Sequence, residues 1–225
     1  MDFGKAVSFT FDDPDWIKKV AIGGVVTLVP ILNFASYGYS IEVTRRVIDG
    51  HPQPLPEWDD FGGKFIKGLI YFVIGLVYSL PIVLIACLAV GGMAATGSLA
   101  SSSSRNASDA AGGVFGLLGL CVSCIAVIYG VFVAIVLPAA VGQYAAKDEI
   151  GAAFRFADVL SLVQKNLGAY LMVFAIGIVA GLLASLVGSL ACGIGLIFAG
   201  FWSLLVIGHA TGQAYREASA NIGLV

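Results

Sequence analysis

Residues 168–212, GAYLMVFAIGIVAGLLASLVGSLACGIGLIFAGFWSLLVIGHATG, run their whole length without an aspartate, glutamate, lysine or arginine. An α-helix rises about 1.5 Å per residue and the hydrocarbon core of a bilayer is about 30 Å thick, so roughly 20 apolar residues cross it once. The stretch is too long for one crossing. Ala191-Cys-Gly-Ile-Gly195 places two glycines near its middle, where a tight turn between helices needs them. It reads as a hairpin of two spans, 168–190 and 194–212.

The rest of the chain has the same character. Of 225 residues, 59% are hydrophobic and 12% charged, about half the charge of a soluble domain, and mean hydropathy is +0.95. Residues 65–91 and 114–141 qualify as two further spans. A fifth apolar segment, 17–43, carries Pro30 and Asn33 at its centre, and proline removes a backbone hydrogen bond that lipid cannot replace. The expected fold is all-α: a polytopic transmembrane helix bundle with four spans, a proline-broken N-terminal membrane segment and an interfacial amphipathic helix, all in one domain. The four cysteines, 87, 121, 124 and 192, lie in apolar segments and read as small buried hydrophobes rather than a disulfide framework.

Charge sets the expected topology. If segment 17–43 turns back rather than crossing, eleven of the twelve lysines and arginines fall on one side of the membrane and only Arg105 on the other. A full crossing gives eight against four. Basic flanks stay cytoplasmic, so the count favours a re-entrant or interfacial segment in a multi-pass protein of the cell membrane. Net charge is −2 and no basic run exceeds a pair, which excludes the electrostatic footprint of a nucleic-acid binder.

The polar stretches are few. Pro14-Asp-Trp16 and Pro56-Glu-Trp58 share one pattern: proline for a first helical turn, an acid for the helix dipole, and tryptophan for the headgroup layer. Trp16 and Trp58 are the expected interfacial anchors, and Leu55–Phe61, LPEWDDF, reads as an interfacial helix start. Glu57, Asp59 and Asp60 together offer the oxygens a hard cation takes, although a solvated loop is favoured. Residues 151–166 place Ala153, Phe156, Ala157, Val159, Leu160 and Val163 on one helical face and Arg155, Asp158, Ser161 and Lys165 on the other, an amphipathic helix suited to a membrane surface. Residues 97–112, rich in serine and glycine, read as a mobile linker.

Trp16-Ile-Lys-Lys19, Gly23-Gly24 with Pro30, Tyr37-Gly-Tyr39, Arg45-Arg46, LPEWDDF, Ala152-Ala-Phe-Arg-Phe156 and Gly208-His-Ala-Thr-Gly-Gln213 together resemble the prokaryotic membrane-protein family known as domain of unknown function 4013. The resemblance covers nearly the whole chain. It implies an integral helical membrane protein and no particular reaction. From Leu137-Pro-Ala-Ala140 onward the chain is more loosely similar to the membrane domain attached to some glycerophosphodiester phosphodiesterases, whose catalytic acid and histidine pattern is missing here.

With His51 in a proline-rich loop and His209 near the end of the last span, no catalytic triad or zinc motif can be written. The expectation is a non-enzymatic protein with no cofactor. Asn33, Glu42, His209 and Gln213 are candidate polar positions at membrane depth. A path lined by Asn33, Tyr37 and Glu42 would indicate transport of a small or lipid-like substrate, and the stripe of His209, Gln213, Arg216 and Glu217 would line a polar path, ligate a group, or simply mark the exit of the last helix. Gly177, Gly181, Ser185, Ser189 and Gly193 recur every four residues. This is a small-residue packing stripe for the bundle itself, a second copy or another membrane protein, with membrane lipids as the remaining partner.

The charge count makes a direct prediction. A cysteine introduced at residue 102 is expected to react with a membrane-impermeant reagent applied from outside the cell, and one at residue 59 to stay unlabelled until the membrane is permeabilised.

Overall fold

The computed structural model describes residues 1–100, 105–190 and 193–222, with side chains placed for 1–87, 119–190, 193 and 195–221. In chain order the elements are α1 (Phe3–Ser8), a 3-10 turn (Phe9–Asp12), α2 (Trp16–Leu28), α3 (Asn33–Ile48), α4 (Phe61–Ala100), α5 (Arg105–Lys147), α6 (Ile150–Ala153), α7 (Phe156–Lys165), α8 (Leu167–Leu190) and α9 (Ile194–Ile222). The fold is all-α, with no strand among the described residues. Among the described residues, four stretches are long and apolar enough to cross a membrane: Phe61–Cys87, Gly119–Lys147, Leu167–Leu190 and Gly195–Asn221. They are the four spans the sequence requires.

The chain divides into two compact units, Met1–Gly75 with Ile135–Val225, and Leu76–Ala134. In the second unit α4 and α5 are tied by the Tyr129 hydroxyl, which donates to the Tyr78 carbonyl at 2.8 Å. Cys87, Cys121 and Cys124 are free and exposed on the outer surface of these helices rather than buried among other side chains. Cys192 and its neighbour Ala191, in the expected turn before α9, lie outside the described residues.

In the first unit α9 is the axis, packed by α8, α3, α2, α7 and α1. Its hairpin with α8 closes at Gly193, whose φ of 87° only glycine adopts without strain and whose N–H reaches back to the Gly188 carbonyl at 3.1 Å. Other glycines bring backbones together. A Cβ on Gly208 would lie 2.8 Å from the Ser40 carbonyl oxygen, and one on Gly212 2.7 Å from that of Thr44. Because the backbones approach so closely, Ser40 Oγ donates to the Leu204 carbonyl at 3.0 Å and Thr44 Oγ1 to the Gly208 carbonyl at 2.9 Å. On the opposite side of α3, a Cβ on Gly38 would collide with the Lys64 carbonyl and one on Gly68 with the Phe34 carbonyl.

The proline-broken segment is two short helices folded back on one another. The Thr27 and Ser36 hydroxyls meet at 2.9 Å, and Thr27 also donates to the Gly23 carbonyl. At about 1.5 Å per residue, α2 is about 20 Å long and α3 about 24 Å, both short of a hydrocarbon core of about 30 Å. Pro30 sits in the turn between them, where its missing N–H breaks no helical bond. Leu28, Val29, Ile31 and Leu32 are exposed at the tip.

Two expectations need correction. Residues 97–100 and 105–112 are helical, as the ends of α4 and α5, and only 101–104 of the expected linker lie outside the described residues. In the described parts, Ala100, Ala107, Ala110 and Ala111 are strong helix formers, and Ser98 and Ser108 are close to neutral beside them. The single amphipathic helix over 151–166 is instead α6 and α7, divided where Arg155 leaves helical geometry at φ −77°, ψ 75°. The break redirects α7, so that Val159, Leu162 and Val163 are buried while Phe156 and Leu160 are exposed.

The α3–α9 contact fixes a stability prediction. Gly208→Val forces a branched side chain onto the Ser40 backbone, and overpacking of this kind costs about 1–3 kcal/mol. Its thermal midpoint in mild detergent is expected to fall, whereas Gly75→Ala, where a Cβ meets nothing within 4 Å, is expected to leave it unchanged or slightly raised.

Candidate functional site

LPEWDDF is a clamp between helices. Leu55 is 2% exposed and joins a buried cluster with Phe9, Val20, Tyr39, Val43 and Phe201. The Leu55 carbonyl accepts from Arg46 Nη1 at 3.1 Å and the Pro56 carbonyl from the Tyr39 hydroxyl at 2.7 Å. Burial pushes the Tyr39 phenol far above its ordinary pKa, so it remains a donor at every physiological pH. Trp58 stacks on Tyr39 with centroids 4.6 Å apart, and its Nε1 donates to the Lys19 carbonyl at 3.0 Å. Trp16, which opens α2, packs at the edge of the same cluster and meets Phe11 edge-on at 5.0 Å. The helix begins at Phe61, the last residue of the stretch, and Asp60 caps it by accepting from the Gly63 N–H at 2.9 Å.

Two buried lysines anchor the clamp. Lys19 Nζ lies 2.8 Å from both Asp13 and Glu57, and Lys64 Nζ lies 3.1 Å from Glu42 and 3.7 Å from Asp59. Glu42 is also held by Lys67 at 2.8 Å. The Lys64 side chain is 1% exposed, a position an ammonium holds only when paired. Burial pulls the Lys19 pKa down, but its hydrogen bonds and attraction to Asp13 and Glu57 outweigh that, and the net shift is upward. A raised lysine pKa contributes stability that is complete below the unfolded value and is lost as pH rises through the folded one. Lys19 therefore stays charged and paired throughout the physiological range, and on the alkaline side that contribution is lost only above the ordinary lysine range. Asp59 is shifted downward, chiefly by backbone N–H groups and then by Lys64. The carboxylates that offered a cation site are thus committed to lysines and a helix cap. A cleft of ≈ 250 Å³ beside them also carries Arg45, Arg46 and Asp49.

The positions expected to form a polar path are dispersed. Asn33 opens α3 at the hairpin turn, Tyr37 stacks on Tyr71 of α4 at 5.1 Å, and Glu42 is bound by the two lysines of α4. His209 is 3% exposed and stacks on Phe9 with centroids 4.2 Å apart, while its Nδ1 lies 3.3 Å from Gln213 Nε2. Gln213 Oε1 accepts from the Asp2 N–H at 2.8 Å, and Glu217 pairs with the Met1 amine at 2.9 Å. This stripe of α9 is the track on which the segment 1–12 is docked.

The small-residue stripe of α8 lies beside the face that packs on α9. The buried positions there are Ala180, Ala184 and Gly188. Of the stripe, Gly177 comes closest to α9, with 3.8 Å from a built Cβ to Ile207; a Cβ on Gly181 meets nothing within 4 Å; Ser185 and Ser189 are exposed; and Gly193 lies beyond the helix in the turn. Sequence reasoning missed the two buried lysines and the contacts of Gly38 with Gly68. It quoted Gly208 and Gly212 without reading them as the GxxxG spacing that brings α3 against α9.

The ion pairs make a testable unit. Lys64→Met removes a partner of the buried Glu42, and is expected to cost about 3 kcal/mol, the low end for a broken buried pair because Lys67 still reaches Glu42. Adding Glu42→Gln is expected to recover part of that loss in denaturation measured in the same detergent.

No curated protein and no solved structure matches the chain. The sequence profile of a family described as "Protein of unknown function (DUF4013)" matches residues 22–208. The match runs from the middle of α2 to Gly208 on α9, taking in the α2–α3 hairpin, the pairs of Lys64 and Lys67 with Glu42, and the α8 stripe, and so this chain belongs to that family of unknown function.

Proposed function

We propose that this protein is a non-enzymatic, multi-pass subunit of the cell membrane that assembles, through the outward small-residue face of α8, with itself or with another membrane protein. The observation that carries the reading is the open space over Gly181, where a built Cβ meets nothing within 4 Å, on a helix long and apolar enough to span. In lipid, helices associate by close backbone approach and not by exclusion from water, and small residues are what permit it. Inside the first unit the chain already uses this device on α3, α4 and α9. Support for a non-catalytic role is that, among the described residues, the buried lysines are committed to structural pairs, Lys19 with Asp13 and Lys64 with Glu42, and His209 is stacked on Phe9.

Transport of a small or lipid-like substrate is the second reading. It is favoured by the α2–α3 hairpin, because broken helices present free backbone groups at the turn.

Gly181→Leu separates the two. With open space at Gly181, the substitution is expected to leave the thermal stability of the monomer unchanged. Overpacking an interhelical contact costs about 1–3 kcal/mol, so association should weaken roughly five- to more than a hundredfold. Mass measured in mild detergent should fall to that of the single chain. Retention of the native mass would leave assembly through α8 without support and favour the transport reading.

A further inference from the structure

We propose that the charged cleft between the end of α3 and the start of α4 binds a phosphoethanolamine group, its phosphate on Arg46 and Arg45 and its primary ammonium on Asp49 and Asp60. The cleft has a volume of ≈ 250 Å³, below the range of about 300–1,000 Å³ that holds drug-sized ligands, which leaves room for a group of a few heavy atoms. Four cations and four carboxylates line it, so its formal charges balance. Half of them neutralise one another: Lys64 and Lys67 hold Glu42, and Lys64 also reaches Asp59.

The other half have donors and acceptors to offer. A guanidinium has five N–H donors; the half-buried Arg46 gives one to the Leu55 carbonyl, and Arg45 reaches Asp148, outside the cleft, at 3.1 Å. Among the described residues Arg46, Asp49 and Asp60 form no ion pair, and Asp60 uses one oxygen to cap α4. Arg46 and Asp49 stand three residues apart at the end of α3, a spacing at which opposite charges ordinarily pair, but the bond to Leu55 turns the guanidinium away. Two unmatched charges of opposite sign therefore line one small cleft.

That balance selects the occupant. A metal ion or a simple anion would use one sign of charge and strand the other, whereas a group carrying both satisfies the two together. The planar fork of arginine matches phosphate in bidentate fashion. The lining has no aromatic ring, which a quaternary ammonium needs around it, so the cation is one that donates hydrogen bonds to carboxylates, a primary ammonium. Lys64 and Lys67 occupy the first two turns of Phe61–Cys87, a stretch long enough to span, which puts the cleft at the level of phospholipid headgroups whichever side it faces. Phosphate and primary ammonium two carbons apart are the head of phosphatidylethanolamine, and a water-soluble phosphoethanolamine ester brings the same two groups. The inference rests on the membrane location and not on assembly: no residue of α8 lines the cleft, and the mass of Gly181→Leu bears on neither outcome below.

Purified protein in mild detergent would be titrated with phosphatidylethanolamine carrying a fluorescent acyl chain, and unlabelled lipids scored by displacement. Saturable binding near one lipid per chain is expected. Phosphatidylethanolamine should displace the probe about tenfold or more better than phosphatidylcholine or phosphatidylglycerol, the range of one charged hydrogen bond. Asp49→Asn, at an exposed position, should shrink that preference with the thermal midpoint unchanged. Asp49→Lys should reverse it in favour of phosphatidylglycerol, a gain that loss of folding cannot produce. Arg46→Gln should weaken all three lipids, because they share the phosphate. Glycerophosphoethanolamine, the same head without chains, separates the sources: displacement at concentrations comparable to the lipid's identifies a water-soluble occupant, and displacement only far above them identifies the lipid. Equal affinity for the three lipids in the unmodified protein, or an ethanolamine preference that survives both Asp49 variants, would overturn the site.

Discussion

Everything in the first unit depends on how close the backbone of α3 comes to its neighbours. A side chain on any of Gly38, Gly68, Gly208 or Gly212 would overlap a carbonyl or side chain of the facing helix. At that separation the hydroxyls of Ser40 and Thr44 reach main-chain carbonyls of α9 at 3.0 and 2.9 Å. A hydroxyl bonded to a carbonyl that already serves its own helix removes a polar group from the interior without interrupting the helix. Close approach is therefore what makes a helix with a polar composition compatible with a buried position. It also explains why α3 is short: a segment held on both flanks by glycine contacts is positioned by its neighbours and has no need to span anything.

The lysine network follows from the same placement. With α3 against α4, the Glu42 side chain is only 15% exposed, and Lys64 and Lys67, one turn apart on α4, supply the countercharge. Lys19 does the same for Asp13 and Glu57, joining the start of α2 to the LPEWDDF loop. Because the desolvation of each lysine is large, the pairs contribute less to net stability than to uniqueness: a slipped α3 would leave Lys64 buried and unpaired, and that state is strongly disfavoured. The loop adds a second lock through Trp58, whose ring closes over Tyr39 and Phe201. Charge and aromatic packing thus fix the register that glycine contacts permit.

Much of this architecture was legible in the sequence, and the part that was not has a physical reason. The four spans follow from length and hydropathy alone, because crossing a bilayer is a requirement on composition. The hairpin at Pro30 was legible for the same reason, since a missing N–H cannot be hidden in lipid. The stacking of Trp58 was not legible because a tryptophan beside acids suits a headgroup layer and a stacked pocket equally well, and only the fold brings Tyr39 against it. The ion pairs were illegible because Lys19 and Glu57, or Glu42 and Lys64, are brought together by a fold whose contacts are set by glycines. The helical flanks of the expected linker, 97–100 and 105–112, were not legible because a single serine such as Ser98 or Ser108 signals a loop in water yet is tolerated beside alanines in a helix.

The faces of α8 show where this kind of reading reaches its physical end. In a soluble bundle the buried face is apolar and the exposed face polar, so periodicity identifies it. In a chain surrounded by hydrocarbon both faces are apolar, and only the size of the side chains carries information. α8 has two adjacent small-residue rows, Ala180, Ala184 and Gly188 against α9, and Gly181, Ser185 and Ser189 beside it. Each satisfies the same spacing rule. The row that packs internally has Leu196 lying directly over Gly188, across the turn closed at Gly193, so the local hairpin selects it before any other helix is present. The second row is left over by that choice. A single chain needs one such row to close its own hairpin, and a second row on the same helix has a structural role only when another helix lies against it.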